Sequence, residues 1–113
     1  MHEYSIVQAL LCRVEEEARA RSATAVHRLS VRIGELSGVE PRLLASAYEV
    51  FRERTVCDGA ELAIESVPAR WVCPACEAAI MQGSILTCAD CGTPARLAEG
   101  DEILLVRIEM EVP

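Results

Sequence analysis

A chain of 113 residues with a formal net charge of −7 suits one compact domain, with room for a small stapled subdomain. It is 51% hydrophobic but only 4% aromatic, so its core has to be built from aliphatic side chains. The acidic balance argues against a nucleic-acid binder, which needs a basic face, and no apolar run is long enough to span a bilayer.

The first element is an amphipathic helix from residue 3 to about 21. Ile6, Val7, Leu10, Leu11, Val14 and Ala18 share one face, with Glu15, Glu16 and Arg19 mainly on the other. Ser22 to Thr24 reads as a connection. From Val26 to Ile33 the period changes to two, with Leu29, Val31 and Ile33 alternating with Arg28, Ser30 and Arg32, as in a half-buried strand. Gly34 and Gly38 bracket a loop. A second helix starts at Pro41, where the missing N–H costs nothing. Its expected buried stripe is Leu43, Leu44, Ala47, Tyr48, Val50 and Phe51.

Asp58-Gly59 marks a turn. Glu61 to Val67 reads as a second strand that ends at Pro68, and a cysteine-rich segment follows. The last strand is expected to alternate Leu104, Val106, Ile108, Met110 and Val112 against Leu105, Arg107, Glu109 and Glu111. This order predicts an α+β fold: two helices on one face of a three-stranded sheet, with a zinc-ribbon-like four-cysteine subdomain inserted. The expected division is 1–69 with 98–113 for the main domain and 70–97 for the insert.

Cys73-Pro74-Ala75-Cys76 and Cys88-Ala89-Asp90-Cys91 are two C-x-x-C pairs separated by eleven residues. Each pair can form a knuckle aiming two sulfurs at one ion, and two knuckles complete the tetrahedron of a structural zinc. Ile80, Ile85 and Leu86 are the expected apolar filling. The N-terminus shows no secretory signal, so the chain is expected in the cytoplasm, where thiols stay reduced and cysteines serve metals rather than disulfides. A thioredoxin-like pair would need one motif at a helix start. A catalytic zinc would want an open position. No His, carboxylate and nucleophile converge in sequence, so a non-enzyme is expected. Cys12, Cys57 and His27 read as a tolerated free thiol, a second such thiol, and a surface strand residue.

His2 stands beside the amino terminus. An amine, an imidazole and deprotonatable amide nitrogens within a few bonds suit square-planar Ni(II) or Cu(II). A solvated histidine is the plain alternative, and the residues alone leave both open.

Met1-His2-Glu3-Tyr4-Ser5-Ile6, the stretch Val31 to Val39, Leu62 to Glu65 and the paired cysteine motifs together resemble the hydrogenase nickel-incorporation proteins, the HypA/HybF family. The resemblance runs the length of the chain. It implies a nickel metallochaperone for [NiFe] hydrogenase maturation. Nickel would be held by His2, with the Met1 amine, backbone nitrogens and Glu3 assisting, and zinc by Cys73, Cys76, Cys88 and Cys91. It also implies a partner GTPase, the hydrogenase large subunit as client and, in some members, the urease maturation proteins, with the chaperone a monomer or a homodimer. The alternative is a zinc-ribbon interaction module with no nickel role.

Overall fold

Helix α1 (His2–Ala20) buries Val7, Leu10, Val14 and Ala18 along one stripe, and Ile6 and Leu11 flank it. Its exposed side carries i,i+4 pairs, Arg13–Glu17 at 3.4 Å and Arg19–Glu15 at 3.5 Å. The helix stops where Ser22 turns left-handed, at φ 53°. There Ala23 N–H reaches back to Ala18 O at 2.8 Å and Ser22 N–H to Arg19 O at 3.2 Å, which satisfies the last carbonyls. The computed structural model describes residues 2–81 and 86–113, His2 by its backbone alone.

Strand β1 (Ala25–Gly34) is the centre of a mixed sheet ordered β2-β1-β6. It pairs in parallel with β2 (Glu61–Val67) and antiparallel with β6 (Ile103–Glu111). The parallel pairing requires a crossover, which α2 (Pro41–Phe51) supplies. Glu40 caps α2, its side chain accepting from Arg42 N–H at 3.1 Å, and Pro41 fills the first turn. Leu29, Val31 and Ile33 of β1 meet Leu44, Ala47 and Tyr48 of α2 and the α1 stripe in one core. The opposite sheet face carries cross-strand pairs, Arg32–Glu65 at 3.1 Å and Arg28–Glu109 at 3.9 Å. His27 lies at that surface with Glu111 3.0 Å away, as a strand-surface residue should.

Two expected stripes differ from the structure. In α2, Leu43 and Val50 are exposed at 55% and 65%, and Phe51 lies at the surface edge-on to Tyr4, ring centroids 5.0 Å apart. The sheet below α2 is only three strands wide, so it covers a narrower arc than the helix's apolar residues span. In β6, Leu104 and Val106 point out, whereas Leu105, Ile108 and Met110 pack on the core. The cause is a register shift: Ser30 lies opposite Arg107 but Val31 opposite Leu105, so Val106 is a bulged extra residue. Past the bulge the alternation changes phase.

Between β2 and β6 the chain builds a second sheet, ordered β4-β3-β5, from β3 (Arg70–Val72), β4 (Ala79–Ile80) and β5 (Arg96–Glu99). The molecule is elongated, 56 × 29 × 17 Å. Its radius of gyration is 17.9 Å, against about 13 Å for a compact chain of this size.

The deepest polar contact in the core is the Tyr48 hydroxyl, which donates to Ala60 O at 2.9 Å. Arg52 Nη1 donates to the same carbonyl at 2.7 Å. Burial pushes the Tyr48 phenol and the adjacent Cys57 thiol up from their ordinary values, so both stay protonated and Cys57 acts as a small core hydrophobe. Because Arg52 keeps Ala60 O satisfied, Tyr48→Phe should cost only about 1 kcal/mol. The shift of the urea midpoint at unchanged slope measures it.

Candidate metal centre

The two C-x-x-C segments fold into copies of one knuckle offset by fifteen positions. In the first, Cys73 N–H donates to Ala78 O at 2.9 Å and Glu77 N–H to Cys73 O at 2.8 Å. In the second, Cys88 N–H donates to Thr93 O at 2.8 Å and Gly92 N–H to Cys88 O at 2.9 Å. Both turns need a left-handed residue at the same place, Glu77 at φ 62° and Gly92 at φ 70°. Glycine adopts that conformation without strain, whereas glutamate does so at some cost.

The knuckles face each other, and all four ligand atoms lie within 4.8 Å of one another. Cys73 Sγ is 3.3 Å from Cys91 Sγ, and Cys76 Sγ is 3.6 Å from Cys88 Sγ. These separations are too long for disulfides, whose sulfurs sit at about 2.05 Å. Four sulfurs at zinc–thiolate bond length define a tetrahedron of edge about 3.8 Å, and the observed cage is close to that. Cys73 and Cys88 are buried and Cys76 and Cys91 are at the rim.

The local electrostatics favour a cation here. The Cys76 N–H lowers the Cys73 thiol, with the Cys91 thiol and the Ala75 N–H helping against burial, to about 6. The Ala78 N–H lowers Cys76, yet the neighbouring Cys73 and Cys88 sulfurs raise it to about 12. Several crowded sulfurs cannot share negative charge without a counter-ion, and a divalent metal is the natural one. Thr93 Oγ1, 3.1 Å from Cys91 Sγ, is a further polar neighbour that the cysteine spacing did not reveal.

The donor set fits zinc. Cys73, Cys76, Cys88 and Cys91 would hold the ion, which supplies folding energy to the module and offers no open position for chemistry. Of the expected filling, Ile80 is half-buried in β4, Leu86 is exposed, and Ile85 lies outside the described residues.

Met1 lies outside the described residues, and His2 opens α1. Glu3 is half-buried, and its Oε2 accepts from the Glu40 N–H at 3.4 Å, so the carboxylate already ties the start of α1 to the cap of α2. No described helix is long and apolar enough to cross a membrane.

An α+β core with a four-thiol module inserted between two of its strands defines a protein stapled by a structural metal. The chain belongs to the family described as hydrogenase/urease nickel incorporation, metallochaperone, HypA, whose model matches residues 1–110. It is 44% identical to the hydrogenase maturation factor HypA of Wolinella succinogenes, covering 98% of this chain and 96% of that one. It is 39% identical to the HypA of Aquifex aeolicus, covering 99% of each. The solution structure of the nickel metallochaperone HypA from Helicobacter pylori superposes with a TM-score of 0.73 at 31% identity, covering 98% of both chains. A second HypA solution structure gives 0.79 at 33% identity, covering 97% of this chain and 96% of that one.

Proposed function

We propose that this protein is a cytoplasmic nickel metallochaperone that carries Ni(II) at its amino-terminal end and delivers it during [NiFe] hydrogenase maturation. The observation that carries the reading is the family match from residue 1 to 110, together with the four thiols the fold brings to one point. Nickel is the cargo. Its ligands in this reading are the His2 imidazole, the Met1 amine and backbone nitrogens, and Glu3 serves by fixing the first turn against Glu40. A site on the first residues of a helix can exchange ligands with an incoming donor while the core stays folded. The zinc of Cys73, Cys76, Cys88 and Cys91 has the opposite task and holds residues 70–97 as a unit inserted between 1–69 and 98–113. The partners in this reading are a maturation GTPase, the hydrogenase large subunit and the urease maturation proteins, met by a monomer or a homodimer. It acts by metal transfer, not catalysis.

Nickel titration of the zinc-loaded protein, followed by calorimetry and absorbance, tests this beside His2→Ala. The expected result is one Ni(II) bound per intact chain and none by the variant. Equal binding by both would leave a zinc-stapled interaction module with no nickel role.

A further inference from the structure

The two lobes are joined by two short crossings, out through Val67-Pro68-Ala69 and back through Gly100-Asp101-Glu102. One segment of β1 and its loop grips both. Glu35 N–H donates to Val67 O at 2.8 Å, Leu36 N–H to Gly100 O at 2.7 Å and Gly34 N–H to Glu102 O at 2.8 Å. A side chain completes the grip: Glu35 Oε1 accepts from the Ala69 N–H at 2.8 Å. Pro68 has no N–H, so Ala69 offers the first donor after β2, immediately before β3 begins. Ala69 is buried, so water is a poor substitute for that carboxylate.

The same loop ends at Glu40, whose N–H meets Glu3 at the start of α1. Residues 34–40 therefore touch the outgoing crossing, the returning crossing and the amino-terminal end of the molecule. Glu35 and Glu40 also line one cavity with Ile33, Val39, Val67 and Pro68. Lobes joined through short crossings move relative to one another by default unless contacts at the junction fix them. Here the backbone bonds hold the crossings, while the Glu35 carboxylate holds the first amide of the module side.

We propose that Glu35 is a positioning residue: its carboxylate oxygen on Ala69 N–H sets the orientation of the four-cysteine module relative to the α+β core. The 34–40 loop carries that orientation to the start of α1. What this orientation serves rests on the nickel reading, because the end it governs is the proposed cargo site.

Residual dipolar couplings of backbone N–H groups in the full zinc-loaded, nickel-free chain test this, with the core and the module fitted separately. The intact protein and Glu35→Gln, whose amide oxygen can accept the same bond, are expected to share one alignment tensor across both lobes. Glu35→Ala and Glu35→Asp, the latter charged but one methylene short, are expected to give two different tensors. Each lobe should keep its own spectrum, with zinc still bound. One shared tensor in Glu35→Ala overturns the proposal. Two tensors in Glu35→Gln overturn it as well, by placing the restraint in the charge and not in the acceptor. Nickel is absent throughout, so a failed nickel reading appears only as a lost dependence on His2 in the titration.

Discussion

Removing zinc with a strong chelator will unfold the β4-β3-β5 module and leave the two helices and the β2-β1-β6 sheet standing. The module has strands of three, two and four residues, and its most deeply buried described side chains are two of its own metal ligands, Cys73 and Cys88. Trp71, Val72 and Leu97 are only half-buried. Such a sheet has too little apolar area to offset its conformational entropy. Structural zinc contributes on the order of 10 kcal/mol to a fold of this kind. Among the described residues the main core draws none from the module, since every member of its cluster lies before Val67 or after Glu102. In an amide correlation spectrum the peaks of β3, β4 and β5 should collapse to the centre, while those of α1 and β1 stay dispersed. Cys73→Ser should do the same, with zinc content falling from one per chain toward none. Dispersed module peaks in metal-free protein would show that the four thiols are dispensable for folding.

Gly100→Ala will be among the most damaging single substitutions outside the metal ligands. Gly100 sits at φ 112°, and a Cβ there would stand 2.5 Å from Ala69 Cα and 2.9 Å from Ala69 N. These are backbone atoms, already held by Glu35, and cannot rotate away. Left-handed strain of about 1–3 kcal/mol adds to an overlap of similar size, so a loss of roughly 3 kcal/mol or more is expected. Gly34→Ala should also be damaging, through overlap alone and without that strain, since its Cβ would fall against the backbone C and O of Gly100. Denaturant melts of the zinc-loaded proteins measure both. Gly38→Ala is the control: it shares the positive φ, at 82°, but nothing lies within 4 Å of its Cβ, so it should lose only the strain. Equal losses at Gly38 and Gly100 would mean that the crossing of the chains is not the constraint.

The helices and β1 were legible because their patterns are local. Pro41 announces α2, and the stripe from Ile6 to Ala18 follows one helical face. The four metal ligands were legible for the same reason, since a C-x-x-C knuckle is closed by bonds within six residues. What was missed depends on distant partners. Ile103, Leu104, Leu105 and Val106 are apolar in both phases of a strand, and only pairing with β1 selects which phase faces the core. The strand Arg70–Val72 is too short to show a period, and its partners include a segment more than twenty residues away. Leu43 and Val50 look like core residues until the width of the sheet beneath α2 is known. Glu35 bonds an amide 34 positions along the chain, a contact with no sequence signature.

The bulge at Val106 also bears on how the protein behaves when crowded. Strand β6 forms one margin of its sheet, and nine consecutive residues with apolar side chains on both faces would make an effective template for a neighbouring chain. Excising Val106 would leave the same side chains pointing inward and restore an unbroken two-residue repeat. It would also straighten that margin into a surface suited to stacking copy upon copy. The surplus residue is therefore expected to work against polymerisation, because a bulge bends the longer of the two outer strands.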